Sequence, residues 1–121
     1  MKKHLCMLNG PEGRDFITER TINICDRYFD SIRIVQNGGA LPFSDIVSEK
    51  VIHHSYDFLG YTQGLDILKE GIPDGDWILL IDSDERPQQA LLDGLTPEIC
   101  NAEREGINVL GFPFRHHTIS N

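Results

Sequence analysis

Asp82-Ser83-Asp84-Glu85 places three acids in four positions, and it is the stretch whose residue types and spacing could do chemistry. Side chains alternate on an extended backbone, so Asp82 and Asp84 would point the same way. Two converging carboxylates make a hard-oxygen site suited to Mg²⁺ or Mn²⁺. The plainer reading is a solvated loop or a helix start, with Pro87 in the first helical turn and Asp84 or Glu85 near the N-cap.

A strand must deliver these acids. Asp74-Gly75-Asp76 reads as a turn, and Trp77 to Ile81 is an unbroken apolar run. A short apolar run between turn signals suits a strand buried on both faces, so this one is expected at the centre of a sheet. Acids are costly to bury, so the strand must surface at Asp82 or meet a cation there. In open α/β sheets, ligands bind outside the carboxyl ends of the strands.

Other elements follow from pattern. His4 to Leu8 is a strand candidate, followed by the loop Asn9 to Gly13. Asp15 is a plausible N-cap for a helix to about Phe29, with Ile17, Thr21, Ile24, Cys25 and Tyr28 on its core face. Ser31 to Val35 is a second strand, closed by Gln36-Asn37-Gly38-Gly39, which can pass close to a ligand. Leu41 to Lys50 has no clear pattern. Val51 to His54 reads as a short strand, whose alternation sends His53 and His54 to opposite faces rather than to one metal.

Tyr56 to Glu70 reads as a helix. Gly60 and Gly64 each cost it about 1 kcal/mol relative to Ala. Their i, i+4 spacing would let backbone or ligand approach one face. Gln88 to Leu92 is read as helical, Leu95-Thr96-Pro97 as a break, and Pro97 to about Arg104 as a further helix. Ile107 to Phe112 is read as a final strand, with Pro113 at its exit. Alternating strands and helices predict one α/β domain over residues 1–121, a three-layer α/β/α sandwich with a mainly parallel sheet.

Composition narrows the function. The chain has 121 residues, enough for one core. Its net charge of −8 opposes nucleic-acid binding and adhesion to anionic lipid. An acidic protein with a phosphorylated ligand usually needs a divalent cation between them. No apolar run is long enough to span a bilayer, and Leu5 to Leu8 is too short for a signal core, so a cytoplasmic protein is expected. Cys6, Cys25 and Cys100 are widely spaced and odd in number. They read as free thiols, with Cys6 and Cys25 in the core.

The run DWILLIDSDE resembles the Asp-x-Asp segment of family 2 glycosyltransferases of the GT-A fold, in the branch of lipopolysaccharide-core glucosyltransferase-like proteins. HLCMLNGPEG is similar to that family's first strand and nucleotide loop. YFDSIRIVQNGG is similar to its second strand, and SYDFLGYTQGLDILKEGIPDGDW to the helix before the metal strand. Only the Asp-x-Asp run is distinctive; the others agree in order and spacing. The resemblance implies a GT-A-type fold and transfer of sugar from a nucleotide-diphosphate donor, a UDP-sugar above all, to a saccharide or lipid-linked acceptor. It implies Mn²⁺ or Mg²⁺ as cofactor. Asp84 would ligate the metal directly, and Asp82 through water or by way of the ribose, with Ser83 between them. Leu8, Asn9 and Gly10 would line the nucleobase pocket. Gln36, Asn37 and Gly38 would meet base or ribose.

Two features depart from that family. Gln36-Asn37 stands where an acid is usual, which removes charge-assisted bonds to the donor. The acceptor half and the base that takes the acceptor's proton would lie beyond Asn121, and no acid follows Glu105. The chain therefore resembles a truncated donor half, with no catalytic residue assigned. His116 or His117 is a conceivable third metal ligand, against the plainer reading of tail histidines. The alternatives are a non-catalytic nucleotide-sugar-binding module and a haloacid-dehalogenase-type phosphatase with Asp82 as nucleophile. The phosphatase fits less well, because its motif normally lies near the chain start. A calcium-binding EF-hand loop fits least, because Arg86-Pro87 breaks its pattern.

Overall fold

The computed structural model describes residues 2–9, 15–37, 48–56, 60–82 and 85–111, with residues 15–19 and 55 described by backbone alone. The elements are β1 (Lys3–Asn9), α1 (Asp15–Cys25), β2 (Ser31–Asn37), β3 (Val51–Tyr56), α2 (Tyr61–Lys69), β4 (Trp77–Asp82) and α3 (Gln89–Arg104). A 3₁₀ turn, Asp26–Tyr28, follows α1, so the first helix stops short of the expected Phe29.

All strand pairs are parallel, in the order β3-β2-β1-β4. This is the order of a doubly wound, Rossmann-like sheet. Ile22 and Cys25 of α1 and Leu92 and Leu95 of α3 pack on Leu5, Met7, Ile32, Ile34 and Ile81. Leu65, Ile67 and Leu68 of α2 cover Cys6, Leu8 and Val35 on the other face. The sheet is therefore the middle of three layers, as the alternation of elements predicts.

β4 departs from expectation. The central, doubly covered strand is β1, where Leu5, Cys6 and Met7 are all buried. Among the described residues, β4 pairs with β1 alone and is the outermost strand on that side. On the α2 face of β4, Ile78 packs against the α2 cluster, whereas Leu80, two residues further on, is 45 % exposed. An unbroken apolar run told that the strand was buried somewhere, not that both its faces were covered.

Three helix boundaries also move. Tyr56 ends β3, and α2 begins at Tyr61. α3 runs unbroken through Pro97, although a proline inside a helix costs about 3 kcal/mol. Leu92, Leu95, Ile99 and Ala102 lie on one stripe and are all buried, and that burial outweighs the lost hydrogen bond. Gln88 holds the N-cap position of α3 without a side-chain capping bond, so Pro87 precedes the helix and neither Asp84 nor Glu85 is its N-cap residue. Its C-terminus closes with Gly106 at φ 73° and with the Ile107 amide donating to the Ala102 carbonyl at 2.8 Å, a Schellman-type cap. Residues 107–111 then continue without strand structure. The run expected as a final strand has the composition of one but joins no ladder among the described residues; Phe112 lies outside them.

Candidate functional site

The chain moves outward from β1 to β2 and β3, then crosses back to set β4 on the other side of β1. The strand order reverses between β1 and β4, and in doubly wound sheets the ligand crevice opens at such a reversal, beyond the carboxyl ends of the strands. The register there is Leu8 beside Asp82, and Asn9 beside Gln36 on the other flank of β1. Leu8, Asn9, Gln36, Asn37 and Asp82, all singled out by sequence, therefore share one rim. Gly10, Gly38, Ser83 and Asp84 lie outside the described residues, as do His116 and His117.

The rim has two sides. Parallel register partners share a face, and successive residues alternate. Leu8 packs in the α2 cluster, so Asp82 points to that side too. Asn9 and Gln36 fall on the opposite side, in line with Met7 and Ile34. Both amides are buried at 1 % exposure, whereas Asp82 is exposed. A ligand touching all of them must straddle the strand ends. The cover on this face of β4 thins from Ile78, which packs in the α2 cluster, to Leu80 and Asp82, which are exposed. The sequence required the strand to surface at its acids or to meet a cation there, and Asp82 is exposed.

Glu85 has a role that sequence reasoning missed. The Asp82 amide donates to Glu85 Oε1 at 2.8 Å, and the Glu85 amide donates to the Asp82 carbonyl at 3.0 Å. The third acid of the run therefore ties down the exit of β4. Only the i, i+3 spacing of Asp82 and Glu85 hinted at it.

A second polar constellation occupies the opposite end of the sheet. His4 Nε2 lies 3.0 Å from Asp76 Oδ2, and His4 Nδ1 lies 2.6 Å from Ser31 Oγ. The carboxylate can only accept, so Nε2 carries a proton. The Lys2 amide donates to the other Asp76 oxygen at 3.1 Å. Hydrogen bonds from His4, then from Lys2, hold the Asp76 carboxyl below its ordinary value. The residue types are those of a hydrolytic triad, but His4 is buried and the group sits at the amino ends of the strands. It ties β1, β2 and the entrance to β4 together.

The cysteines behave as read from sequence. Cys6 and Cys25 are buried and Cys100 is exposed, all free. Burial pushes the Cys6 thiol up to about 11, partly offset by Arg33, and the Cys25 thiol up to about 12. Neither is poised as a nucleophile. His53 is half-buried and His54 exposed on the alternate face. Among the described residues no three His, Cys, Asp or Glu side chains converge on one point, and no helix is long and apolar enough to cross a membrane.

No protein-family model, curated protein or solved structure matches the chain. The functional reading therefore rests on the rim and on the resemblance of the acid run.

Proposed function

We propose that this chain binds a nucleotide-diphosphate sugar, a UDP-sugar above all, together with Mn²⁺ or Mg²⁺. It would serve as the donor-binding part of a GT-A-type glycosyltransferase acting on a saccharide or lipid-linked acceptor. The observation that carries the reading is the Leu8–Asp82 register. It sets the entrance to the acid run beside the end of β1, at the reversal of strand order.

The residues suit the group they would hold. Carboxylate oxygens are the preferred donors for Mg²⁺ and Mn²⁺. Asp82 and Asp84 would be the ligands, with Ser83 between them, while Glu85 accepts from the Asp82 amide. Leu8 and Asn9, with Gly10, would meet the nucleobase. Gln36 and Asn37, with Gly38, would meet base or ribose through amide hydrogen bonds. A bound cation supplies neutralising charge to the diphosphate as the sugar leaves. The proton acceptor for transfer is assigned to no residue.

Calorimetric titration with UDP, in Mn²⁺ and in EDTA, tests this directly. Binding should require the metal, and Asp84→Ala should weaken it at least about tenfold, or ~1.4 kcal/mol. Equal binding in EDTA, or none in Mn²⁺, would overturn the proposal.

A further inference from the structure

Gly64 lies inside α2 and is buried. A Cβ placed on it would sit 2.7 Å from Leu8 Cδ1, well inside van der Waals contact. Helix and strand meet so closely here because position 64 has no side chain. One turn further along, Leu68 sits over the next inward residue of β1, with Cys6 Sγ 3.9 Å from the Leu68 carbonyl. Gly64 is therefore the part of α2 nearest the rim that rests directly on β1.

Leu8 is the last apolar side chain of β1 on this face. On its β2 side stands Val35, its register partner, which is fully buried. On its β4 side stand Leu80 and Asp82, both exposed. Among the described residues, the open side toward which a group pressing on Leu8 from α2 can send it is over β4, toward Asp82.

We propose that Gly64 is a positioning residue for the candidate crevice. Having no side chain, it lets Leu8 seat under α2 and keeps the leucine methyls clear of Asp82. The ligand group facing that wall is the flat, weakly polar face of a nucleobase rather than its charged diphosphate. This inference rests on the proposed nucleotide-sugar site and adds the residue that sets its width. Gly64 touches no ligand and acts only through Leu8.

A double-mutant cycle tests it in the full chain. In Gly64→Ala, the Leu8 methyl resonances should shift, and Mn²⁺-dependent UDP affinity should fall about tenfold. In the Leu8→Ala background, where the clashing methyl is gone, adding Gly64→Ala should change UDP affinity by less than about twofold. If Gly64→Ala alone fails to fold, Leu8→Ala/Gly64→Ala should restore folding; failure of both overturns the assignment. Unmoved Leu8 methyls in Gly64→Ala also overturn it, as does an additive loss of affinity in the double variant. The methyl shifts need no ligand. A wild-type chain that binds no UDP therefore sinks the sugar-donor reading, while the seat of Leu8 is still judged by its own resonances.

Discussion

Asp82 and Glu85 show how two acids of one run come to do different things. Asp82 is exposed on the α2 side of the sheet, and Glu85 folds its carboxylate back onto the Asp82 amide. The sequence carries the charges but not this division, because a backbone hydrogen bond depends on where the strand ends. The buried thiols were easier to read, since cysteine in an apolar strand or helix stripe is almost always core. They give a prediction at this scale. At about pH 8, a thiol pushed up by burial is almost wholly protonated and unreactive. An aromatic disulfide reagent should therefore titrate Cys100 alone in the native chain, and Cys6 and Cys25 only after unfolding. Rapid native reaction at Cys6 or Cys25 would contradict their burial.

The elements were legible wherever a period of two or of 3.6 ran undisturbed. β1, β2 and the strand into the acids were readable because their apolar runs are short and bounded by turn residues. α3 was misjudged because Pro97 is a strong local signal, and the buried stripe from Leu92 to Ala102 that overrides it exists only once the helix meets the sheet. The run from Ile107 was misjudged because composition alone cannot supply a pairing partner. The link from β1 to β2 and β4 through His4, Ser31 and Asp76 was invisible, as its members lie far apart in sequence.

That link makes acid stability depend on Asp76. Its carboxyl is lowered in the folded chain, first by the His4 hydrogen bond, from an ordinary value of 3.8. The folded state therefore binds fewer protons than the unfolded one in this range. The stabilisation is complete above the unfolded value and is lost as pH falls through the lower folded value. Urea unfolding of wild type and Asp76→Asn should show a gap in midpoint that is widest above about pH 5 and shrinks toward about pH 2.5. A gap that stays constant, or widens with acid, would show that the carboxylate does not hold the strands.

For the whole molecule, the topology decides where function can reside. A parallel sheet of order β3-β2-β1-β4 has one reversal, between β1 and β4, and both the apolar end of β1 and the acid end of β4 open onto it. α/β alternation made the parallel sheet foreseeable. The outer position of β4 among the described strands was not, since the same apolar run serves a central or an outer strand. The net charge of −8 gives the rim no electrostatic attraction for a diphosphate, so anion binding there calls for a cation.

Paramagnetic broadening by Mn²⁺ in the presence of UDP tests that claim most directly, because it locates the metal within the fold. The amide resonances of Leu8, Asn9 and Asp82 should broaden first at substoichiometric Mn²⁺. The effect should weaken toward His4, Ser31 and Asp76, with Mg²⁺ competing it away. Broadening centred on His4 and Asp76, or spread evenly over the surface acids, would contradict a metal–nucleotide site between β1 and β4.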